Sequence, residues 1–284
     1  MLKQRLITAA IAIPLFLSAM FLMDEVWFAY LLVILLVLGL HEWSNLSGFN
    51  SFLLKAAYAI GGVAIAAILL FSSLPDVQLF LLVFIAWLFV VLRLFYYRPP
   101  LNDENIAGKV AGNGALSWLV GYFVLLPAFL GLYILKANDA AQPQLLLVFF
   151  LIIWSADSGA YLAGKSFGKH KLAPSISPGK TIEGLLGGLL AAVAVAAVVG
   201  TLLWQLTAER LIWWLLAVVV LTLLSVAGDL YESVYKRRAG VKDSGNLLPG
   251  HGGILDRIDS ACAALPPYIL VLHHFGLLTT GSSA

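Results

Sequence analysis

Long apolar runs broken by short polar joints dominate this chain. The runs fall roughly at 5–23, 26–41, 52–72, 77–97, 115–135, 144–164, 182–204, 211–231 and 262–279. A helix needs about 20 apolar residues to cross the hydrocarbon core of a bilayer, and most of these runs are near that length. The period-two alternation of an outer-membrane barrel is absent. A spanning helix satisfies its own backbone hydrogen bonds, so the pattern predicts an all-α, polytopic transmembrane helix bundle of about nine spans. We read residues 1–284 as a single integral membrane domain. About 1–110 would supply N-terminal helices, and 111–284 the helices that carry two polar loops, 165–181 and 232–261.

Composition agrees. Hydrophobic residues make up 61% of the chain and charged ones only 11%, against about a quarter charged in soluble domains. A net charge of +2 gives no argument for a nucleic-acid partner. The single cysteine, Cys262, can form neither an internal disulfide nor a cysteine-based zinc site; a small buried residue is the simplest reading. With Lys3 and Arg5 in the cytoplasm, nine crossings put the loops near 42–51, 98–114, 165–181 and 232–261 on the same side. All 17 lysines and arginines except Lys136 and Arg210 then lie on or beside that side, as the positive-inside rule requires. The first run resembles a secretory signal but is longer and lacks a small-x-small cleavage site, so an uncleaved first helix is expected. The compact chain suggests a bacterial inner membrane.

Two polar constellations interrupt the apolar background. The first, residues 154–184, reads WSADSGAYLAGKSFGKHKLAPSISPGKTIEG. Gly159 to Ser166 fits the phosphate-loop pattern letter for letter, but that motif needs a strand before it and a helix after it, and here an apolar helix precedes it. Asp157 is more informative, because a carboxylate near the end of an apolar span is costly unless paired or hydrated. It is either a structural ion pair with a nearby lysine or an orienting, metal-linked carboxylate. Tyr161 falls one turn later, and Gly164 and Gly168 permit close approach of a helix or ligand. In SPGKT, Ser177 suits an N-cap and Pro178 the first helical position. The free N–H groups of Gly179, Lys180 and Thr181 would then face an anion, unless the segment is an ordinary cap with a snorkelling lysine. Lys165, Lys169 and Lys171 suit phosphate or headgroup contacts, or serve only as positive-inside residues.

The second constellation, residues 225–260, reads SVAGDLYESVYKRRAGVKDSGNLLPGHGGILDRIDS. Asp229 ends an apolar run, and Glu232, Ser233, Lys236 and Arg237 follow at helical spacings, giving one face both acid and base. Gly240, Gly245 and Gly250 then break the chain into a loop. The glycines after His251 permit close backbone approach to a ligand, and Asp256 and Asp259 can share a helix face. Mg²⁺ suits such a set, since it takes one or two carboxylates with waters and substrate phosphates. Zinc does not. Phosphoryl chemistry needs mainly positioning and charge neutralisation, and carboxylates beside Lys and Arg at a membrane edge supply both.

Ser233 to Asp259, SVYKRRAGVKDSGNLLPGHGGILDRID, resembles the signature of the phosphatidate cytidylyltransferases, or CDP-diacylglycerol synthases, throughout its length, with Tyr235 the loosest fit. Asp157, Tyr161, Gly164, Ser177, Pro178, Lys180, Thr181, Glu183 and Gly184 resemble the same family. The first 110 residues carry little of it beyond Glu42. The resemblance implies that CTP and phosphatidic acid give CDP-diacylglycerol and pyrophosphate, with Mg²⁺ and a monovalent cation such as K⁺, in a homodimer. It implies metal binding by Asp229 and Asp256, with Asp157 supporting the metal or orienting a lysine. Lys236, Arg237, Lys242 and Lys180 would hold the triphosphate or lipid headgroup. Ser177 and Lys165 would contact phosphate, and His251, Gly252 and Gly253 would shape the nucleotide loop. Arg257 and Asp259 would lie behind the ligands, and Asp243 would be a ligand or loop anchor. His41, His273 and His274 receive no role. Two other readings remain: a CTP-dependent polyprenol kinase or related lipid enzyme, and a secondary anion transporter.

Overall fold

The computed structural model describes residues 2–71, 76–97, 114–138, 144–247, 250 and 252–278. The loop expected near 98–114 lies almost wholly outside these residues, and so does His251. Nine α-helices are described: α1 (Leu2–Leu22), α2 (Glu25–Leu46), α3 (Phe52–Phe71), α4 (Asp76–Phe95), α5 (Gly114–Asn138), α6 (Gln144–Phe167), α7 (Ile182–Val198), α8 (Ala208–Arg238) and α9 (Leu255–His274). Each expected apolar run falls on one of them.

Seven are long and apolar enough to cross a membrane, namely α2 to α8, with α7 extended to Leu203 by a π turn. The chain is therefore an all-α, multi-pass membrane protein. By length and composition alone, seven of the about nine expected spans are recognised among the described residues. In α1 the described apolar part is the shorter stretch Ile13–Leu22. Helix α9 opens on Asp256, Arg257 and Asp259, and its next stretch, residues 261–269, is buried throughout. It is a core helix rather than a lipid-facing one.

The chain forms two compact units, each assembled from separated stretches. One comprises Met1–Leu74, Pro100–Pro143 and Glu232–Asp259, the other Pro75–Pro99, Gln144–Tyr231 and Ser260–Ala284.

In the first unit, α2 packs on α3 and α5. Buried polar side chains join these helices through backbone carbonyls, since a donor shielded from water needs a partner. Trp43 Nε1 donates to Ser117 O at 2.9 Å, Tyr58 to Trp118 O at 2.8 Å and Tyr122 to Tyr58 O at 2.6 Å. The rings of Tyr58 and Tyr122 stack at 4.5 Å. Lys136 is buried and donates to Met20 O at 2.7 Å, capping a carbonyl at the end of α1.

In the second unit, α6 and α7 meet along a seam of small residues. A Cβ on Gly159 would lie 2.6 Å from Gly187 O and from Ala191 Cβ, and one on Gly188 2.7 Å from Ala156 O. Small side chains let membrane helices approach this closely. The phosphate-loop letters of residues 159–166 therefore lie inside helix α6, where they serve packing and form no loop. Trp214 donates to Ala196 O at 2.9 Å and Tyr268 to Leu145 O at 2.7 Å, tying α8 to α7 and α9 to α6.

Between α6 and α7 the chain makes a hairpin of two short strands, β1 (Lys171–Ala173) and β2 (Ser177–Thr181), paired antiparallel. This corrects the expected helix start. SPGKT is a strand, so Ser177 is not an N-cap and Gly179, Lys180 and Thr181 do not form a helix N-terminus. Thr181 caps α7 instead, its Oγ1 accepting from Gly184 N at 3.1 Å. Two start signals, Ser-Pro and Thr-Ile-Glu-Gly, lie in succession; strand pairing takes the first and leaves the second to the helix. Glu183 braces the hairpin, accepting from Lys169 N and His170 N and lying 2.6 Å from His170 Nδ1.

Candidate active site

A cavity of about 490 Å³ opens in the second unit. Helix α6 lines it with Asp157, Tyr161 and Lys165, which share a face because they are spaced by four residues. Strand β2 contributes Gly179, Lys180 and Thr181, and α8 contributes Thr222, Ser225 and Asp229. Glycines at 164, 184 and 188 make a floor without side chains. At the mouth, Lys180 Nζ lies 2.6 Å from Asp229 Oδ2, both side chains partly exposed. Lys165 Nζ stands 5.7 Å from the centre of the Tyr161 ring. Deeper, Thr222 donates to Val218 O and Ser225 to Thr222 O, each at 2.8 Å. Their protons are committed to the helix, so both hydroxyls remain as acceptors.

Four expected residues, Asp157, Lys165, Lys180 and Asp229, thus line one cavity. Ser177 sits on the same hairpin outside the lining. Thr222 and Ser225 were not anticipated, although they lie seven and four residues before Asp229 as the only hydroxyls in a run of apolar residues. That helical spacing was the available signal.

The first unit holds a second polar cluster around Asp256. Its Oδ1 accepts from Lys236 Nζ at 2.7 Å. Its Oδ2 accepts from Ser244 N at 2.9 Å, Ser244 Oγ at 2.8 Å and Gly253 N at 2.8 Å. Burial pushes the Asp256 carboxyl up, but Lys236 and the backbone donors outweigh it and hold the group below the usual carboxylate range. Lys236 also lies 3.5 Å from Glu232 Oε1, a buried carboxylate with Asp259 beside it. The glycines here make room for acids. Gly252 has φ +81°, and a Cβ on it would collide with Asp256. One on Gly245 would lie 2.5 Å from Glu42 Oε1.

The remaining expected residues surround this cluster. Asp243 adjoins Gly252. Arg237 turns the chain at the end of α8 by donating to Val241 O at 3.2 Å. Lys242 and Arg257 are exposed. Glu42 and Ser244 received no role from the sequence, and both are buried here. Glu42 was marked only by the family resemblance, as an acid ending an apolar run.

Membrane-spanning helices that hold cations and carboxylates around a cavity define a class: integral membrane proteins with a charged internal site, where ionisable groups usually mark function. A family model described as the cytidylyltransferase family matches residues 3–275, and the chain belongs to that family. It is 40% identical to a phosphatidate cytidylyltransferase of Pseudomonas aeruginosa over 274 residues, covering 96% of this chain and 97% of that protein. A phosphatidate cytidylyltransferase of Haemophilus influenzae is 36% identical over 286 residues, covering 94% and 96%. One of Bacillus subtilis is 44% identical over 155 residues, covering 52% and 56%.

Proposed function

We propose that this chain is a phosphatidate cytidylyltransferase, converting CTP and phosphatidic acid into CDP-diacylglycerol and pyrophosphate. A phosphate oxygen of phosphatidate attacks the α-phosphorus of CTP. The new P–O bond forms as the bond from the α-phosphorus to the bridging oxygen breaks, and pyrophosphate carries away the electron pair. The observation that carries this reading is the cavity itself, with Lys180 and Lys165 to neutralise phosphate and Asp157 and Asp229 to bind or orient a cation. Both substrates are polyanions, and a partly enclosed site strengthens each charge contact.

Mg²⁺ fits the residues present, and the family resemblance adds K⁺ as an assisting ion. Each expected acid ligand faces an ammonium, Asp229 that of Lys180 and Asp256 that of Lys236. An ammonium stands where a metal cation could bind, and Asp256 Oδ1 is turned to Lys236 while Oδ2 keeps its other donors. Among the described residues no three His, Cys, Asp or Glu side chains form a metal-binding group, and Mg²⁺ needs only one or two carboxylates. When bound, Mg²⁺ would offset charge on the transferring phosphoryl group and the leaving pyrophosphate. Asp229 is the residue we assign to hold a metal ion in the cavity, and Asp256 the one we assign within its own cluster. Lys180 and Lys236, released from their acids, would then be free to meet phosphate oxygens. The lysine and arginine distribution, the bacterial relatives and the family resemblance support a cytoplasmic N-terminus, an inner-membrane location and a homodimer.

The test is pyrophosphate release by purified protein with CTP, Mg²⁺ and phosphatidate vesicles. Release that requires both substrates supports the reading. CDP in place of pyrophosphate would make the chain a lipid kinase, and CTP uptake by sealed vesicles without turnover would make it a transporter.

A further inference from the structure

The acid that organises the Asp256 cluster comes from far away in the sequence. Glu42, near the end of α2, is 6% exposed. Its Oε1 accepts from Ile254 N at 3.0 Å and its Oε2 from Leu255 N at 2.9 Å, while Ser244 Oγ, 3.1 Å from Oε2 and 2.8 Å from Asp256 Oδ2, has one proton to share between the two carboxylates. Two of these donors are free N–H groups at the start of α9, where a carboxylate is favoured by both hydrogen bonding and the helix dipole. Ser244 and Gly253, which border this carboxylate, are the same residues that hold Asp256 Oδ2.

We infer that Glu42 is a positioning residue of the active site: it fixes the Ser244 and Gly253 ends of the glycine-rich loop and, through them, the carboxylate of Asp256. The inference rests on the cytidylyltransferase reading. Both oxygens of Glu42 accept from N–H donors, so the position requires a carboxylate. A glutamine would turn an NH₂ group toward an N–H and leave a buried donor unsatisfied. The bare α-carbons at Gly245 and Gly253 follow from the same contact, because the Glu42 carboxylate occupies the space a Cβ would take. Glu42 touches no reacting atom; its effect passes through the loop.

The test compares wild type with Glu42→Gln in detergent. In the folded variant, amide exchange at Ile254 and Leu255 accelerates by about tenfold or more. The KM for CTP rises about fivefold or more, while the KM for phosphatidate stays within about twofold. Global destabilisation alone would not separate the two substrates. Glu42→Asp keeps the charge, shortens its reach and is read in the same way if Glu42→Gln does not fold. A folded variant with unchanged exchange at these amides, or with an unchanged KM for CTP, overturns the inference. Wild-type turnover is the control. Its absence would refute the cytidylyltransferase reading and this role with it, whereas normal wild-type turnover with an unaltered variant refutes only the role of Glu42.

Discussion

Lys180 Nζ and Asp229 Oδ2 are 2.6 Å apart, one on a hairpin strand and the other on helix α8. The pair stands at the mouth of the cavity with about a quarter and a third of the two side chains exposed. An ion pair so exposed contributes little to stability, about 0–1 kcal/mol after solvent screening. Its value to the protein is therefore the placement of a cation and an anion. Lys180→Met and Asp229→Asn should each reduce turnover by about 100-fold or more while the melting temperature in detergent moves by only a few degrees. Parallel loss of folding and turnover would return the pair to a structural role.

Asp256 sets a dependence on acid. Its carboxyl is held below the ordinary value by Lys236, Gly253 and Ser244 against the opposing effect of burial. A carboxylate with a depressed folded-state value stabilises the fold above its unfolded value of about 4 and loses that contribution as pH falls through the folded value. Stability should thus fall below about pH 4 in wild type and fall less in Asp256→Asn. Thermal unfolding between about pH 3 and 6 measures this. The same variant should insert into the membrane and lack turnover.

The glycines of the loop are a steric requirement. A Cβ on Gly245 would lie 2.5 Å from a Glu42 carboxylate oxygen that is itself fixed by hydrogen bonds. Gly245→Ala should cost about 1–3 kcal/mol. Gly179→Ala is the control, since nothing lies within 4 Å of its Cβ position. Equal stability of the two variants would contradict the contact.

The start of α7 offers a direct comparison. Thr181→Val removes the hydroxyl that accepts from Gly184 N and should cost about 1 kcal/mol. Ser177→Ala, on the strand, should be nearly neutral. The reverse order in chemical unfolding would restore Ser177 as the cap.

These residues show where the sequence was legible and where it was not. Apolar length located all nine described helices, because lipid imposes helix on any long apolar run. The same measure could not separate α9, buried among other helices, from a lipid-facing span. Asp157 and Asp229 stood out as acids at the ends of apolar runs, Lys180 through the SPGKT pattern and Lys165 as a cation suited to phosphate, and all four line one cavity. SPGKT was misread because Ser-Pro and Thr-Ile-Glu both signal a helix start, and only the pairing of β2 with β1 decides between them. Thr222 and Ser225 escaped notice because lone hydroxyls in membrane helices usually bond to their own backbone, as these also do. The role of Glu42 could not be read at all. Its donors come from residues 244–255, and that proximity exists only in the fold.

The most direct test of the central claim uses CTP carrying separate labels on its α- and γ-phosphates, with purified protein, Mg²⁺ and phosphatidate. Cytidylyl transfer places the α-label in the lipid phase and leaves the γ-label in aqueous pyrophosphate. The γ-label in the lipid, with the α-label left in aqueous CDP, would contradict it.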